Sequence, residues 1–192
     1  LEWIKNNTPE DAVIGAWWDY GYWIQTKSDR ITLADNSTLI DSIIKKIATV
    51  FSSSPDEGWK ILRDMEADYF LIFVAGNRLS SDSLDGQALY FLSGGGDESK
   101  KQWFMRIAEE PLPKYLYDDG ISGTDYFWNE TLLGKMIPFT PVIYVNQNNQ
   151  QSNSYQSGLT PVYVKDIKLP IDGDGPFRLV YTSPSFDVEK GQ

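Results

Sequence analysis

The chain has 192 residues, with no cysteine and no histidine, and 17 basic against 27 acidic residues give it a net charge of −10. Disulfides, zinc sites of the usual Cys/His kind, and Ser-His-Asp or Cys-His catalysis are therefore excluded. An acidic chain of this kind also lacks the positive surface that nucleic-acid binding requires, so we expect no nucleic-acid partner.

The composition is that of a globular chain, with 41% hydrophobic and 14% aromatic residues. The longest apolar run, Tyr69 to Ala75, is far shorter than the ~20 residues that cross a bilayer. Glu2 and Lys5 interrupt any apolar leader at the start of the chain. We therefore expect neither a signal peptide nor a membrane-spanning segment within these residues.

The first distinctive stretch is "GAWWDYGYWI", Gly15 to Ile24, which sets Asp19 among aromatic side chains. A buried carboxylate without hydrogen-bond partners costs several kcal/mol. Either the fold or a ligand must therefore supply partners to this acid.

Two helices are predicted next. Apolar residues recur at helical spacing over Thr38–Phe51, and Asp41 three residues after Thr38 resembles a capping box. A second helix should run from Ser54 to about Glu66, because Ser54 and Glu57 repeat that pattern around a proline. Its inward-facing residues should be Trp59, Leu62 and Met65.

The middle of the chain mixes strand and helix signals. Tyr69–Ala75 is apolar on both faces and predicts a buried strand. Residues 76–86 are polar and predict a loop, and Gln87–Leu92 is ambiguous between helix and strand. Asp97 can cap a helix that runs to about Glu110, where prolines end it.

A further helix should begin near Thr124 and end before Pro138, after which the pattern becomes β-rich. The chain is therefore predicted to be α+β, with a helix-rich core around a short sheet over residues 1–138 and a small antiparallel β-layer over residues 139–192 packed on it. The Gly/Asp-rich stretch 172–175 is predicted to be a turn rather than a calcium site. The predicted C-terminal strands are Thr140–Val145, Leu159–Leu169 and Phe177–Thr182.

The aromatic stretch also carries a family resemblance. It resembles the WWDYG signature of the catalytic subunit of oligosaccharyltransferase, the enzyme of asparagine-linked glycosylation, and its flanks "NNTPEDAVIG" and "RITLADNST" resemble that family too. Five residues that include two tryptophans match by chance very seldom. The resemblance covers Leu1 to Pro138. The matching residues are Trp17, Trp18, Asp19, Tyr20 and Gly21.

A second motif of the family reads Asp, two residues, Lys, three residues, then Met or Ile. In "DESKKQWFMRI", Asp97 and Lys100 fit this spacing but place Phe104 at the last position. Shifting the frame by one residue keeps Met105 and replaces the aspartate with Glu98. We favour the first frame, and both Phe104 and Met105 remain candidates for the apolar position.

The resemblance implies that this chain is the extracytoplasmic C-terminal domain of a dolichyl-phospho(diphospho)-oligosaccharide–protein glycosyltransferase, in a short archaeal form. In that family the WWD residues bind the Ser/Thr hydroxyl of an acceptor polypeptide at Asn-X-Ser/Thr. A multi-pass membrane region preceding the domain binds the lipid-linked oligosaccharide and a divalent metal, Mg or Mn, and carries the catalytic carboxylates. The isolated domain should then be inactive and hold no cofactor.

The chemistry of these residues suits a hydroxyl, which both donates and accepts a hydrogen bond. The indoles of Trp17 and Trp18 can only donate, and the carboxylate of Asp19 can only accept. Lys100 can hold Asp19 by a charge-assisted hydrogen bond. The remaining predicted site residues are Tyr20 and Asp97 in the two motifs, Gly21 for a tight backbone path, and Phe104 or Met105 against a threonine methyl.

Other interpretations compete with this one. The aromatic stretch is also typical of a core cluster whose Asp19 caps a turn, and Asp97 of an ordinary helix cap. A carbohydrate-binding module that uses surface aromatics is the main functional alternative, and a carboxylate-pair glycosidase is a weaker one. The chain also contains three sequon-shaped stretches, which begin at Asn6, Asn36 and Asn129, and the sequence does not say whether any is modified.

Overall fold

The computed structural model describes residues 1–186 apart from 93, 149, 173–174 and 184–185, together with the backbone alone at 80–82. Part of the turn predicted at 172–175 therefore lies outside the described residues. The helices are α1 Glu2–Asn7, α2 Gly21–Trp23, α3 Asp41–Ser52, α4 Pro55–Asp64, α5 Asp97–Ile107, α6 Leu112–Tyr115, α7 Asp125–Glu130 and α8 Leu132–Met136. The strands are β1 Val13–Gly15, β2 Ile31–Thr32, β3 Tyr69–Phe70, β4 Gly76–Leu84, β5 Gln87–Leu92, β6 Phe139–Val145, β7 Gln151–Ser152 and β8 Thr160–Lys165.

The strands form two sheets, and the predicted α+β class is confirmed. A short parallel sheet has the order β2-β1-β3, with Val13 opposite Ile31 and Ile14 opposite Tyr69. An antiparallel sheet has the order β4-β5-β8-β6-β7. Because β5 pairs with β8, this second sheet takes strands from both sides of the boundary predicted at residue 138.

The main core lies where α3 and α5 pack over the parallel sheet. The ring of Phe51 stacks on that of Phe104 with centroids 4.4 Å apart and lies 5.1 Å from that of Phe70. Ile14 and Ile47 are fully buried in the same cluster. Each such side chain contributes about 1.5–3 kcal/mol by burial, so the helix that begins at Asp97 is fixed firmly against the strand that leads into Trp17.

The two predicted capping boxes have different outcomes. At Ser54 the prediction is confirmed, because the side chain accepts from the Glu57 backbone and the Glu57 carboxylate accepts from the Ser54 N–H. At Thr38 it is wrong, because Thr38 has a left-handed φ of 49° and α3 begins only at Asp41. Leu39, the first apolar residue of the pattern that predicted this helix, is consequently 85% exposed.

The loop predicted at 76–86 is also wrong, since β4 and β5 form a hairpin there. Asp85 and Gly86 connect the two strands with φ values of 50° and 80°. Asp-Gly at a two-residue connection is a strong hairpin signal. The polar composition of residues 76–86, by contrast, favours a loop. The ambiguous Gln87–Leu92 is therefore a strand.

Three other element predictions need correction. The buried strand predicted at Tyr69–Ala75 is strand only at Tyr69–Phe70, and its residues are half-buried or exposed. Phe177–Thr182 is not a strand. Trp59, predicted to face inward with Leu62, lies on the surface of α4, where the Arg63 guanidinium covers its ring.

Gly21 gives a direct test of how tightly the loop after β1 is packed. A Cβ at this position would overlap the carbonyl oxygen of Ala34 and the Asp35 backbone. Since overpacking typically costs about 1–3 kcal/mol, Gly21→Ala should lower the free energy of unfolding by that amount in urea denaturation. Gly94→Ala is the control, because a Cβ there meets nothing within 4 Å. Equal stability of the two variants would contradict this packing.

Candidate functional site

The aromatic stretch forms a sharp turn directly after β1. Trp17 is extended, with φ −61° and ψ 143°, and Trp18–Tyr20 then form a single 3₁₀ turn that continues into α2. The Trp17 ring is 5% exposed and meets Phe104 edge-on with centroids 4.6 Å apart. The Trp18 ring, half-buried, lies 6.1 Å from that of Trp17. The turn therefore anchors one indole in the core and brings Asp19 to the surface, where its side chain is 30% exposed.

The first residue of α5 holds this turn from the other side. Asp97 is fully buried. Its carboxylate accepts hydrogen bonds from the Tyr20 hydroxyl at 2.8 Å and from the Phe73 backbone N–H at 2.9 Å. The helix cap itself is Gly96, so the interpretation of Asp97 as an ordinary helix cap is wrong. Its side chain instead crosslinks the loop after β1 to the chain after β3.

Lys100, one turn further along α5, completes the network. Its ammonium donates to Asp19 Oδ2 at 2.6 Å and to the Tyr20 hydroxyl at 2.9 Å, and it lies 3.5 Å from Asp97 Oδ1. One cation therefore serves two carboxylates and a phenol. The structure thus brings the two motifs together through the side chains of the first frame.

The residues of the second frame, Glu98 and Lys101, make different contacts. The ammonium of Lys101 is buried and bonds to the carbonyl oxygen of Glu98 at 2.9 Å and to the Glu98 carboxylate. Both members of this pair lie on α5, and Lys101 also lies over the ring of Phe127. Glu98 and Lys101 therefore stabilise the helix and its packing, while Asp97 and Lys100 face the aromatic turn.

Burial sets the protonation of the network. Desolvation raises the pKa of the Asp97 carboxyl, while the Phe73 N–H, the Tyr20 hydroxyl and the Lys100 ammonium oppose that shift. Burial and the neighbouring Asp97 raise the pKa of the Tyr20 phenol far above its usual value. The phenol therefore stays protonated, and it can donate to Asp97 while accepting from Lys100.

One atom of the network is left over. Asp19 Oδ1 is buried from solvent and has no hydrogen-bond partner among the described residues. The indole N–H groups of Trp17 and Trp18 likewise have no hydrogen-bond partner among the described residues. An orphaned buried acceptor is uncommon in native proteins and needs an explanation. Here it lies in the same turn as two unused donors.

The other predicted site residues lie around this turn. Phe104 and Met105 are both fully buried in the core, where Phe104 supports the ring of Trp17 from below. Gly21 lies against the Asp35 backbone, where no side chain would fit. The contact of Phe104 or Met105 with a threonine methyl stays a prediction.

Two groups that contact the site residues were not predicted from the sequence. The backbone N–H of Phe73 binds Asp97, and the side-chain amide of Asn36 lies 3.4 Å from the backbone oxygen of Asp19. A backbone donor has no sequence signal. Asn36 lies in the "RITLADNST" stretch, which the family resemblance had already singled out.

The described residues contain no group of three or more acidic side chains placed to hold a metal ion. No helix among them is long and apolar enough to span a bilayer.

The N-terminal part of the chain is similar to a known protein family. Residues 9–69 match the family model of the STT3/PglB/AglB core domain. The chain is 33% identical over 149 residues to the subunit stt3 of dolichyl-diphosphooligosaccharide–protein glycosyltransferase from Schizosaccharomyces pombe, which covers 70% of this chain and 18% of that protein. The rice subunit STT3B is 35% identical over 136 residues, covering 70% and 17%.

The structural comparison gives a more distant match. The C-terminal globular domain of an oligosaccharyltransferase from Archaeoglobus fulgidus has a TM-score of 0.44 and 20% identity, covering 86% of this chain and 93% of that domain. The chain spans less than a fifth of the length of the curated relatives named above. Residues 9–69 are therefore similar to the STT3/PglB/AglB core domain, and 70% of the chain is similar to part of an STT3 subunit.

The link between Tyr20 and Asp97 can be measured through stability. Tyr20→Phe removes the hydroxyl donor from a buried carboxylate, which should cost about 1–3 kcal/mol of unfolding free energy. The hydroxyl lowers the pKa of Asp97 in the folded state, so its loss raises that pKa further. The loss of unfolding free energy caused by Tyr20→Phe should be largest above the folded-state pKa of Asp97. It should decrease as the pH falls through that pKa.

The control for this measurement is Tyr22→Phe, because Tyr22 is an exposed tyrosine on α2. Its effect should stay within about 0.5 kcal/mol at every pH. A Tyr20→Phe cost that does not vary with pH would show that the hydroxyl does not act on a charged Asp97.

Proposed function

We propose that this chain is the acceptor-recognition domain of a membrane oligosaccharyltransferase, on the extracytoplasmic face of the membrane. Trp17, Trp18 and Asp19 then bind the Ser/Thr hydroxyl of an Asn-X-Ser/Thr acceptor. The observation that carries the proposal is Asp19 Oδ1, a buried acceptor without a partner among the described residues, in the same turn as the indoles of Trp17 and Trp18. The match of residues 9–69 to the STT3/PglB/AglB core domain supports it independently.

The unsatisfied groups match the needs of a hydroxyl. Asp19 Oδ1 accepts its proton, and an indole N–H donates to its oxygen. Protein atoms cover Oδ1 in the present arrangement, so the carboxylate has to rotate slightly to meet a ligand. Rotation about χ2 of an aspartate is soft, and the partly exposed side chain leaves room for it.

Lys100 makes this recognition specific. By binding Oδ2 it fixes one oxygen of the Asp19 carboxylate and leaves the other for the ligand. An acceptor with alanine in place of threonine would leave Oδ1 without a partner. Sites built around a substrate hydroxyl reject its absence by about 10⁴-fold or more. Shape alone would give far less discrimination.

Threonine should bind somewhat better than serine. One additional methyl is worth on the order of 1 kcal/mol, which corresponds to a several-fold preference. In our proposal the methyl meets the apolar floor formed by Trp17, with Phe104 or Met105 beneath it.

The chemical step is assigned to the rest of the enzyme. Most of each relative's length lies outside this chain, and there we place the membrane region that binds the lipid-linked oligosaccharide, the divalent metal and the catalytic carboxylates. The domain contributes by holding the acceptor, which converts an encounter into a positioned reaction. Taken alone it should show no turnover.

A carbohydrate-binding module remains the alternative. Trp23 and Trp103 are exposed and have planar rings that sugars can stack on. The buried Trp17 ring offers no such face. Saturable binding of free oligosaccharides, combined with no response to acceptor peptides, would favour the module.

Asp19→Ala in the full-length enzyme tests the proposal. Removal of the Asp19 carboxylate should lower kcat/KM for an Asn-X-Thr peptide by about 10²-fold or more, because the threonine hydroxyl loses its charged partner. Asp64→Ala, which removes an exposed carboxylate on α4, is the matched control and should transfer glycan normally. Near-normal transfer by Asp19→Ala, with an unchanged melting temperature, would contradict the assignment.

A further inference from the structure

We infer that a groove beside Asp19 binds a short acidic segment of the acceptor polypeptide, C-terminal to its threonine, an inference that rests on the proposed function. The groove has a volume of about 1710 Å³, whereas pockets for small molecules hold roughly 300–1,000 Å³. Asp19, Tyr20 and Lys100 line one end of the groove, which is therefore continuous with the candidate hydroxyl site. Its size suits a length of polypeptide.

Side-chain contacts trace the path of the groove away from Asp19. The ring of Phe73 lies 6.3 Å from that of Tyr20, and the chain then leads to Gly76 at the start of β4. A Cβ at Gly76 would lie 3.2 Å from the ring of Phe139, whose carbonyl accepts from the Lys168 ammonium at 2.6 Å. Lys168 therefore lies roughly 15–20 Å from the acid turn, a distance that about five extended residues span.

The groove is basic, although the chain carries a net charge of −10. Six cations and three carboxylates line it among the described residues, whereas the whole chain has 17 basic and 27 acidic residues. Lys135 and Lys168 also share a smaller cavity of about 360 Å³ with Phe177. The cations away from Asp19 on this side of the groove are Lys135, Lys165, Lys168 and Arg178.

Neutral oxygens, rather than carboxylates, hold the two lysines that follow β8 or end it. Lys168 donates to the Phe139 carbonyl, and Lys165 donates to the carbonyl of Phe186. The Asp166 carboxylate between them in sequence accepts instead from the Thr140 hydroxyl at 2.6 Å. Burial lowers the pKa of Lys168 to about 8, so its ammonium is still mostly protonated at neutral pH.

The other two cations are free to meet a ligand. The Lys135 ammonium and the Arg178 guanidinium have no hydrogen-bond, ion-pair or ring partner among the described residues. Arg178 is exposed and follows Phe177, which packs beside Met136 on α8. Positive charge that the protein itself does not compensate favours a partner that carries carboxylates.

The direction of the acceptor follows from the proposed function. The acceptor asparagine precedes the threonine by two residues, and it has to reach the part of the enzyme that lies outside this chain. The acceptor residues after the threonine are then the ones that continue along the groove. Glutamate or aspartate about five residues after the threonine would meet the far cations.

The experiment compares KM and kcat of the full-length enzyme for three peptides that share one Asn-X-Thr core. Each peptide has a tail of six residues after the threonine, either Gly and Ser alone or with the last two replaced by glutamate or by lysine. We expect KM to be about fivefold lower with glutamate than with Gly and Ser, and highest with lysine. The kcat should not change, and high salt should remove the differences in KM.

A double variant tests whether the groove causes this preference. Lys135→Gln combined with Arg178→Gln should abolish the differences among the tails and leave KM for the Gly-Ser peptide unchanged. Its melting temperature should also be unchanged, because neither side chain has a partner among the described residues. The matched control is Lys46→Gln combined with Arg106→Gln, since both side chains are exposed and lie outside the groove. The control should keep the preference for glutamate.

Equal KM values for the three tails, or a glutamate preference that survives Lys135→Gln with Arg178→Gln, would overturn the inference. Equal KM values together with activity that depends on phosphatidylglycerol vesicles through Lys135 and Arg178 would assign these cations to a membrane surface and also overturn it. If the tails are equivalent while transfer still requires Asp19, the proposed function stands without the groove. Transfer that does not require Asp19 would reject the proposed function itself.

Discussion

The ammonium of Lys100 is the contact on which the rest of the site depends. It joins Asp19 and Tyr20 in the turn after β1 to Asp97 at the start of α5. A fully buried carboxylate such as Asp97 is tolerated only with hydrogen bonds and a nearby cation. The same cation holds Asp19, so the network that stabilises α5 also orients the exposed acid.

This arrangement leaves one side-chain oxygen of the network without a partner among the described residues. Asp97 has two donors, the Tyr20 hydroxyl both donates and accepts, and Asp19 Oδ2 is taken by Lys100. Asp19 Oδ1 is left without a partner. One unpaired acceptor in an otherwise hydrogen-bonded network is typical of a binding site, because an unpaired buried oxygen does not stabilise a purely structural network. The buried Trp17 ring supplies a rigid floor, since Phe104 and Phe51 fix it from below.

Local patterns predicted some parts of this protein well and others poorly. The capping box at Ser54 and the helix after Asp97 follow from short-range chemistry, and so they could be seen in the sequence. The exposure of Leu39 follows from the left-handed Thr38. The β4 strand is polar and its composition favours a loop, so the Asp85-Gly86 dipeptide is the local signal of the β4–β5 hairpin. The contact of Phe73 with Asp97 uses a backbone atom, which no residue pattern can reveal. The two motifs singled out Asp19, Asp97 and Lys100 in the sequence, and the fold shows that Lys100 bridges the motifs.

The most direct test of the central claim couples the acid to the acceptor hydroxyl. The kcat/KM values of the native enzyme and of Asp19→Ala would be compared on peptides that carry Asn-X-Thr and Asn-X-Val, which are nearly equal in shape. If Asp19 Oδ1 reads the hydroxyl, the native enzyme should strongly prefer threonine, and Asp19→Ala should lose most of that preference, so the two changes are non-additive. An undiminished preference for threonine in Asp19→Ala would contradict the account.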